Sequence, residues 1–192
     1  DEDKRFLQYP DCSVYRMLSD SVKKHPDNIS YEYFGKKRPS KQFLEEVDTC
    51  ARAFLAMGVK ANDRVSICMP NTPEAVISFY ALNKIGAVAN MIHPLSAQAE
   101  IKYYLNVSKS EYVVAIDIAF NKINHISSET GLKKCILVSA ADSMPFGMKL
   151  GYYFTKGRKI KLESSPLTIT WKRFVDGARD GSDSDLKEYH GN

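Results

Sequence analysis

The sequence lacks the features that define several large classes of protein. Its longest apolar runs, such as residues 112–116, are far shorter than the roughly 20 residues of a membrane-spanning helix. The widely separated Cys12, Cys50, Cys68 and Cys135 exclude a Cys-x-x-Cys metal site and a dense disulfide framework, and Cys68 and Cys135 are expected to be core thiols. The net charge of +4 over 192 residues is too small to indicate nucleic-acid binding. No apolar signal segment is visible among the first residues, so we expect a cytoplasmic protein.

The common sequence motifs of nucleotide binding and catalysis are also missing. The sequence contains no GxxxxGK[ST], no GxGxxG and no other Gly/Ser/Thr-rich loop that could surround a phosphate. It has no Gly-x-Ser-x-Gly stretch to present a nucleophile. Its four histidines have no partner at metal-ligand spacing: His25, His93, His125 and His190. We therefore predict no catalytic residue and no metal site within this chain.

Strand and helix patterns alternate along most of the chain. In the clearest unit, the strand 65–69 precedes a helix that starts after Asn71 or Thr72 and stops at Gly86. Further strands are predicted at residues 29–34, 87–92, 112–116 and 135–138, and further helices after Ser13, from Ser40 to Gly58, at 97–107 and at 118–126. This alternation predicts an α/β fold with an open, mostly parallel sheet and helices on both faces.

Ligands of such sheets bind beyond the carboxyl ends of the strands. The predicted ends lie at residues 69–71, 92–96, 117 and 139. These positions are where a binding site is expected.

The pattern divides the chain into three parts. Residues 1–140 carry the alternation, residues 141–175 form an appended segment packed on it, and residues 176–192 are a polar linker or tail. Residues 144–161 combine an aromatic helical face with a basic run. Packing of that face on the core is the commoner outcome, and a peripheral anchor at a membrane interface is the alternative.

Several short motifs between Gly58 and Glu100 occur in a specific order. Residues 58–65 read Gly-Val-x-x-Asn-Asp-x-Val, residues 69–75 read Met-Pro-Asn-Thr-Pro-Glu-Ala, and residues 81–88 read Ala-Leu-Asn-Lys-Ile-Gly-Ala-Val. This order resembles the N-terminal subdomain of the adenylate-forming, AMP-binding enzymes. Within that family, the aromatic and basic segment 144–161 and the absence of a carrier-protein domain favour a resemblance to the long-chain fatty acid-CoA ligases. Asn62 departs from the glycine usual in that family, although asparagine also adopts such turns.

The resemblance implies an acetyl-CoA synthetase-like fold and an acid-thiol ligase as the whole protein. Such a protein uses ATP and Mg²⁺ to activate a carboxylic acid and transfers the acyl group to coenzyme A. Most of the residues that contact these molecules would lie after residue 192, so we expect this chain to be a non-catalytic scaffold for the rest of the protein. The resemblance also marks His93, Pro94, Leu95 and Ser96 as candidate coenzyme A contacts.

Other interpretations of the same residues stay open. An aryl-CoA ligase or an amino-acid adenylation domain would share the N-terminal motifs. A stand-alone doubly wound binding or regulatory module would need an acidic pair at the strand ends, and only Asp117 stands at such an end. Residues 93–96 can also be a turn that only stops a strand and caps the following helix.

Overall fold

A five-stranded parallel sheet organises the chain in the computed structural model, which describes residues 10–155, 162–180 and 186–189. The strands are β1 (Ile29–Tyr33), β2 (Lys36–Pro39), β3 (Arg64–Cys68), β4 (Val88–Ile92), β5 (Tyr112–Ile116), β6 (Lys134–Val138) and β7 (Thr168–Thr170). Strands β1 and β2 form a separate antiparallel hairpin, while the parallel sheet has the order β4-β3-β5-β6-β7.

Helices cover both faces of this sheet. They are α1 (Val14–Lys24), α2 (Ser40–Ala56), α3 (Pro73–Lys84), α4 (Gln98–Ser108), α5 (Asp117–Ile126), α6 (Phe146–Thr155) and α7 (Trp171–Asp176). The helices α1, α2, α3 and α7 pack together, and α4 packs against α5. All five residues of β5 are buried, and since successive side chains point to opposite faces, both faces are covered. The predicted α/β fold with a parallel sheet is confirmed.

Most of the predicted helix ends rest on local hydrogen bonds. The Ser13 hydroxyl accepts from the Arg16 amide at 3.0 Å, and Thr72 caps α3 ahead of Pro73. Ser40 is the first residue of α2 and does not cap it, because Pro39 occupies the N-cap position. Its amide and hydroxyl both donate to the carbonyl of Asn28, at 2.7 and 2.9 Å, which ties the start of α2 to the preceding loop.

A buried polar cluster joins three helices. The Lys84 ammonium donates to Asp48 at 2.7 Å and to the Tyr15 hydroxyl at 2.8 Å, and Tyr15 in turn donates to Asp48 at 2.9 Å. Burial, followed by the charge of Asp48, raises the pKa of Tyr15 above its usual range, so the hydroxyl stays a donor. The cluster fixes α1, α2 and α3 relative to one another.

Three of the four cysteines lie in the interior as free thiols. Cys50, Cys68 and Cys135 are buried, whereas Cys12 is exposed. Burial raises the pKa of Cys68 and of Cys135 to about 12, so both remain neutral. The predicted core role of Cys68 and Cys135 is confirmed.

The segment 186–189 returns to the helices α1 and α3. Glu188 accepts from Ser13 at 3.1 Å and pairs with Arg16 at 3.3 Å, and the Tyr189 amide donates to the carbonyl of Lys84 at 2.8 Å. The Tyr189 ring covers Gly86, where an added Cβ would lie 2.4 Å from Tyr189 Cγ. The tyrosine can occupy this position only because residue 86 has no side chain.

Replacing Gly86 by alanine tests this contact. Gly86 has φ +74°, so Gly86→Ala is expected to cost about 1–2 kcal/mol for the left-handed backbone. Displacement of the Tyr189 ring should add a further ~1–3 kcal/mol of overpacking. The free energy of unfolding, measured by chemical denaturation, gives the total.

Gly35→Ala is the matched control, because Gly35 has φ +78° and no neighbouring atom within 4 Å of an added Cβ. It should show the backbone cost alone. In a Tyr189→Ala background the two glycine variants should cost the same. If Gly86→Ala still lowers the free energy of unfolding more than Gly35→Ala does in that background, the assigned contact with Tyr189 is wrong.

Candidate functional site

The carboxyl ends of the parallel strands meet at one edge of the sheet. From β3 the chain crosses to β4 on one side, and it then returns past β3 to β5 on the other side. This reversal places a topological switch point between β3 and β5, beyond Cys68 and Ile116. The crevice outside these two strand ends is the position where α/β sheets of this type bind ligands.

Residues 93–96 form a closed turn beside this crevice. The amide of Leu95 donates to His93 Nδ1 at 3.3 Å, and the amide of Ser96 donates to the carbonyl of His93 at 3.0 Å. The side chains of His93 and Leu95 are exposed, Pro94 is buried and Ser96 is half-buried. The side chains of His93 and Leu95 are therefore accessible to solvent, while Pro94 and Ser96 shape the turn.

Lys122 on α5 holds this turn in place. Its ammonium donates to the carbonyl of Ser96 at 2.9 Å. Its charge also acts on Cys68 at the end of β3, where it lowers the pKa of the thiol against the larger raising effect of burial. A cation thus lies between the end of β3 and the turn after β4.

The sequence alone does not identify Lys122 as the residue that binds this turn. The only signal was a lysine within the first two turns of a helix that begins at a strand end. That signal does not say which loop the side chain reaches.

Asp117 connects the ends of β5 and β6. It is the first residue of α5 and is 6% exposed, and its Oδ2 accepts from the amide of Ala140 at 3.0 Å. The hydroxyls of Ser139 and Tyr152 approach the same oxygen at 3.4 Å. Asp117 was predicted only as a strand end, and the structure makes it a bridge between two strand ends.

Glu74 plays a related role on the other side of the sheet. It lies in the first turn of α3, is 5% exposed and accepts a hydrogen bond from the hydroxyl of Ser143. The loop after β6 is thereby joined to the helix after β3. Asn71 is exposed, and Thr72 rather than Asn71 caps α3.

The chemistry that this edge can perform follows from its groups. In the described ranges, no group of three or more His, Cys, Asp or Glu side chains is placed to hold a metal ion. The edge offers the cation of Lys122, the hydrogen-bonded carboxylates of Asp117 and Glu74, and an exposed imidazole and leucine in the turn. These groups can contact a ligand and position a loop.

The sequence pattern of the AMP-binding enzymes matches residues 18–164. The fold and this match together define the class, and the chain belongs to the AMP-binding enzyme family. Among its relatives is a long-chain-fatty-acid–CoA ligase of Bacillus subtilis (strain 168), which is 25% identical over 157 residues. That alignment covers 82% of this chain and 28% of the ligase.

Solved structures show the same fold. A long-chain-fatty-acid-CoA ligase from Archaeoglobus fulgidus superimposes with a TM-score of 0.69 and 17% identity, over 95% of this chain and 32% of that protein. The anthranilate CoA ligase AuaEII, solved with anthranoyl-AMP, gives a TM-score of 0.70 with 16% identity, over 94% of this chain and 30% of that protein. The chain thus spans about a third or less of the length of these relatives.

Replacing Lys122 by methionine tests the anchoring of the turn. Lys122→Met keeps most of the apolar stem but removes the donor to the Ser96 carbonyl, so we expect a loss of about 1–2 kcal/mol in the free energy of unfolding. Amide hydrogen exchange should become faster at residues 95–97, because the turn loses its contact with α5.

Lys102→Met is the control for this variant. Lys102 pairs with Glu129 on the surface, so its replacement should cost less than about 1 kcal/mol and leave the exchange of residues 95–97 unchanged. Equal exchange rates in the two variants would show that Lys122 does not hold the turn.

Proposed function

We propose that this chain is part of an ATP-dependent acid-thiol ligase that converts a fatty acid into its coenzyme A thioester. In the first step a carboxylate oxygen attacks the α-phosphorus of ATP, and pyrophosphate leaves. In the second step the thiol sulfur of coenzyme A attacks the acyl carbonyl, and AMP leaves. Both steps develop negative charge that concentrated hydrogen-bond donors would have to stabilise.

The single observation that carries this proposal is the family match over residues 18–164. A fatty acid is favoured as the substrate because an alignment with a fatty-acid ligase extends over 82% of the chain. The fold itself does not discriminate, since an anthranilate CoA ligase superimposes equally well. An aryl-CoA ligase is therefore the alternative within the same reaction class.

We assign to this chain the role of a wall of the site. ATP and Mg²⁺ would be held by residues outside it, because the sequence has no phosphate loop and the described residues include no carboxylate or histidine cluster for a metal ion. The strand ends around Lys122 and Asp117 form a rigid edge, since both side chains are tied to backbone atoms of neighbouring loops. A rigid edge of this kind can position a ligand that other residues activate.

The turn at residues 93–96 would be the point of contact with coenzyme A. His93 offers an imidazole and Leu95 an apolar side chain, and both are exposed at the crevice. Lys122 would act as a positioning residue for this contact, because it binds the backbone of the turn rather than facing the ligand directly.

The reaction itself can be tested by carboxylate-dependent exchange of pyrophosphate into ATP. The product of the complete gene is expected to catalyse this exchange with palmitate and far less with benzoate. The 192-residue chain alone is expected to catalyse none. Exchange by the isolated chain would overturn the assignment of a scaffold role, and preference for benzoate would favour the aryl-CoA ligase.

The contact with coenzyme A can be tested in the complete gene product. His93→Ala with Leu95→Ala is expected to raise the KM for coenzyme A by about tenfold, as for the loss of roughly 1.4 kcal/mol of contact. Palmitate-dependent exchange, which needs no coenzyme A, should stay unchanged. Tyr103→Ala is the control, because Tyr103 is also exposed but lies on the body of α4. An unchanged KM in the double variant would reject the contact.

A further inference from the structure

Strand β4 lies at one border of the parallel sheet. Among the residues that the structure describes, β4 pairs with β3 and with no other strand. The amide of Val88 donates to the carbonyl of Asp63 just before β3, so the backbone groups of Val88 point toward β3. Since these groups alternate along a strand, the N–H and C=O groups of Ala89 and Met91 point away from the sheet. We call this outward side the free side of β4.

The free side of β4 lacks the charge, the proline and the bulge that usually block the addition of another strand. The strand reads Val-Ala-Asn-Met-Ile, and it pairs with β3 in a regular register over its five residues. Its Val88 and Met91 are 50% and 55% exposed. An apolar strand with outward backbone groups of this kind pairs readily with another extended segment.

The opposite border of the sheet, at β7, is less accessible. The strand has only three residues, and the amide of Thr168 donates to the carbonyl of Ser165 at 3.2 Å. The Cys135 amide on β6 donates to the carbonyl of Leu167, so by the same alternation the backbone of Thr168 points away from β6. The outward donor of Thr168 is therefore already satisfied.

The connections between the strands also distinguish the two borders. From β3 the chain crosses to β4 through α3, and both α3 and α7 pack against α2. A crossover from β7 through α7 to a strand beyond β4 runs in the same direction over the same face, so it has the same hand as the β3-α3-β4 unit. A strand beyond β7 would give the opposite hand. Because about 98% of such crossovers are right-handed, a parallel strand that follows α7 belongs beside β4.

The described chain already leads to this position. The Tyr189 amide donates to the carbonyl of Lys84, and the Tyr189 ring covers Gly86, two residues before β4 begins. A segment that continues from Tyr189 along the free side of β4 therefore runs parallel to β4. This chain spans about a third or less of the length of the relatives described above, so a protein of their length has further polypeptide to supply such a strand.

We propose that the free side of β4 binds a strand from the polypeptide that directly follows Asn192 in the complete gene product. This sixth strand of the sheet pairs parallel with β4 through the outward groups of Ala89 and Met91, and it covers part of the exposed Val88 and Met91 side chains. Its carboxyl end then lies next to the turn at residues 93–96. Residues that follow it would thus join the edge where the ligand is expected.

The pairing is independent of the proposed ligase reaction. It concerns backbone hydrogen bonds, and it is measured without ATP, coenzyme A or a fatty acid. Its failure would leave the proposed reaction standing, and the reverse also holds.

Amide hydrogen exchange resolved to single residues tests the pairing. In the 192-residue chain the amides of Ala89 and Met91 should exchange at least about tenfold faster than that of Asn90, which faces β3. A chain extended by roughly 15 codons of its own gene is long enough to add a strand of ordinary length. In this extended chain and in the complete gene product, exchange at Ala89 and Met91 should slow by about tenfold or more, while that of Thr168 stays unchanged.

Met91→Pro removes one outward N–H group from β4. In the extended chain this variant should return the amide of Ala89 to the rapid exchange of the 192-residue chain, while a protected Asn90 amide shows that β4 still pairs with β3. Met91→Ala is the matched control, because it shortens the side chain but keeps the N–H group. It should change the exchange of Ala89 by less than about twofold.

Rapid exchange of Ala89 and Met91 in the complete gene product would overturn the proposal. Slow exchange of both amides in the 192-residue chain alone would also overturn it, and a dependence of that protection on protein concentration would assign the free side of β4 to a second copy of the chain. Protection in the complete gene product but not in the extended chain would assign β4 to a different part of the protein, against the proposal.

Discussion

The rest of the structure depends on the position of β3 in the parallel sheet, where it lies between β4 and β5. β3 pairs with β4 on one side and with β5 on the other, although both follow it in the sequence. Its Ser66 is fully buried and lies within hydrogen-bond distance of Ser110 and Asn90, at 2.8 and 2.9 Å. A polar side chain at this depth has to find partners, and these partners fix β4 and the connection between α4 and β5 relative to β3.

The candidate site is a consequence of this arrangement. Because β3 lies between strands that run in the same direction, the loops after β4 and β5 lie on either side of its end. Lys122 spans this gap and binds the turn after β4, while Asp117 binds the loop after β6. The same hydrogen bonds that hold the loops together therefore also shape the crevice in which a ligand would lie.

The edge of the sheet and helix α6 differ in polarity. The edge of the sheet is rigid and polar, with side chains committed to backbone partners. Helix α6 exposes apolar side chains, and the hydroxyl of its Tyr152 donates a hydrogen bond to Asp117 at the end of β5.

The sequence by itself determined the local structure. Thr72, Pro73 and Gly86 set the ends of α3, and the apolar run at residues 112–116 is β5. These features depend on capping hydrogen bonds, on the backbone angles allowed to each residue and on the spacing of apolar side chains, all of which act within a few residues. The family resemblance was also visible in the sequence, because its motifs occupy such local positions.

Only the tertiary structure decided which distant residues meet. Lys122 binds the carbonyl of Ser96, which is 26 residues earlier in the sequence. Tyr189, the last residue that the structure describes, covers Gly86. The strand β7 has three residues and is defined by its pairing with β6, so its pattern was too short to identify as a strand. The exposure of Leu150 and Phe154 likewise depends on how α6 docks, because the same apolar pattern fits a core and a membrane surface. Contacts between residues far apart in the sequence depend on the docking of whole elements, which no local pattern specifies.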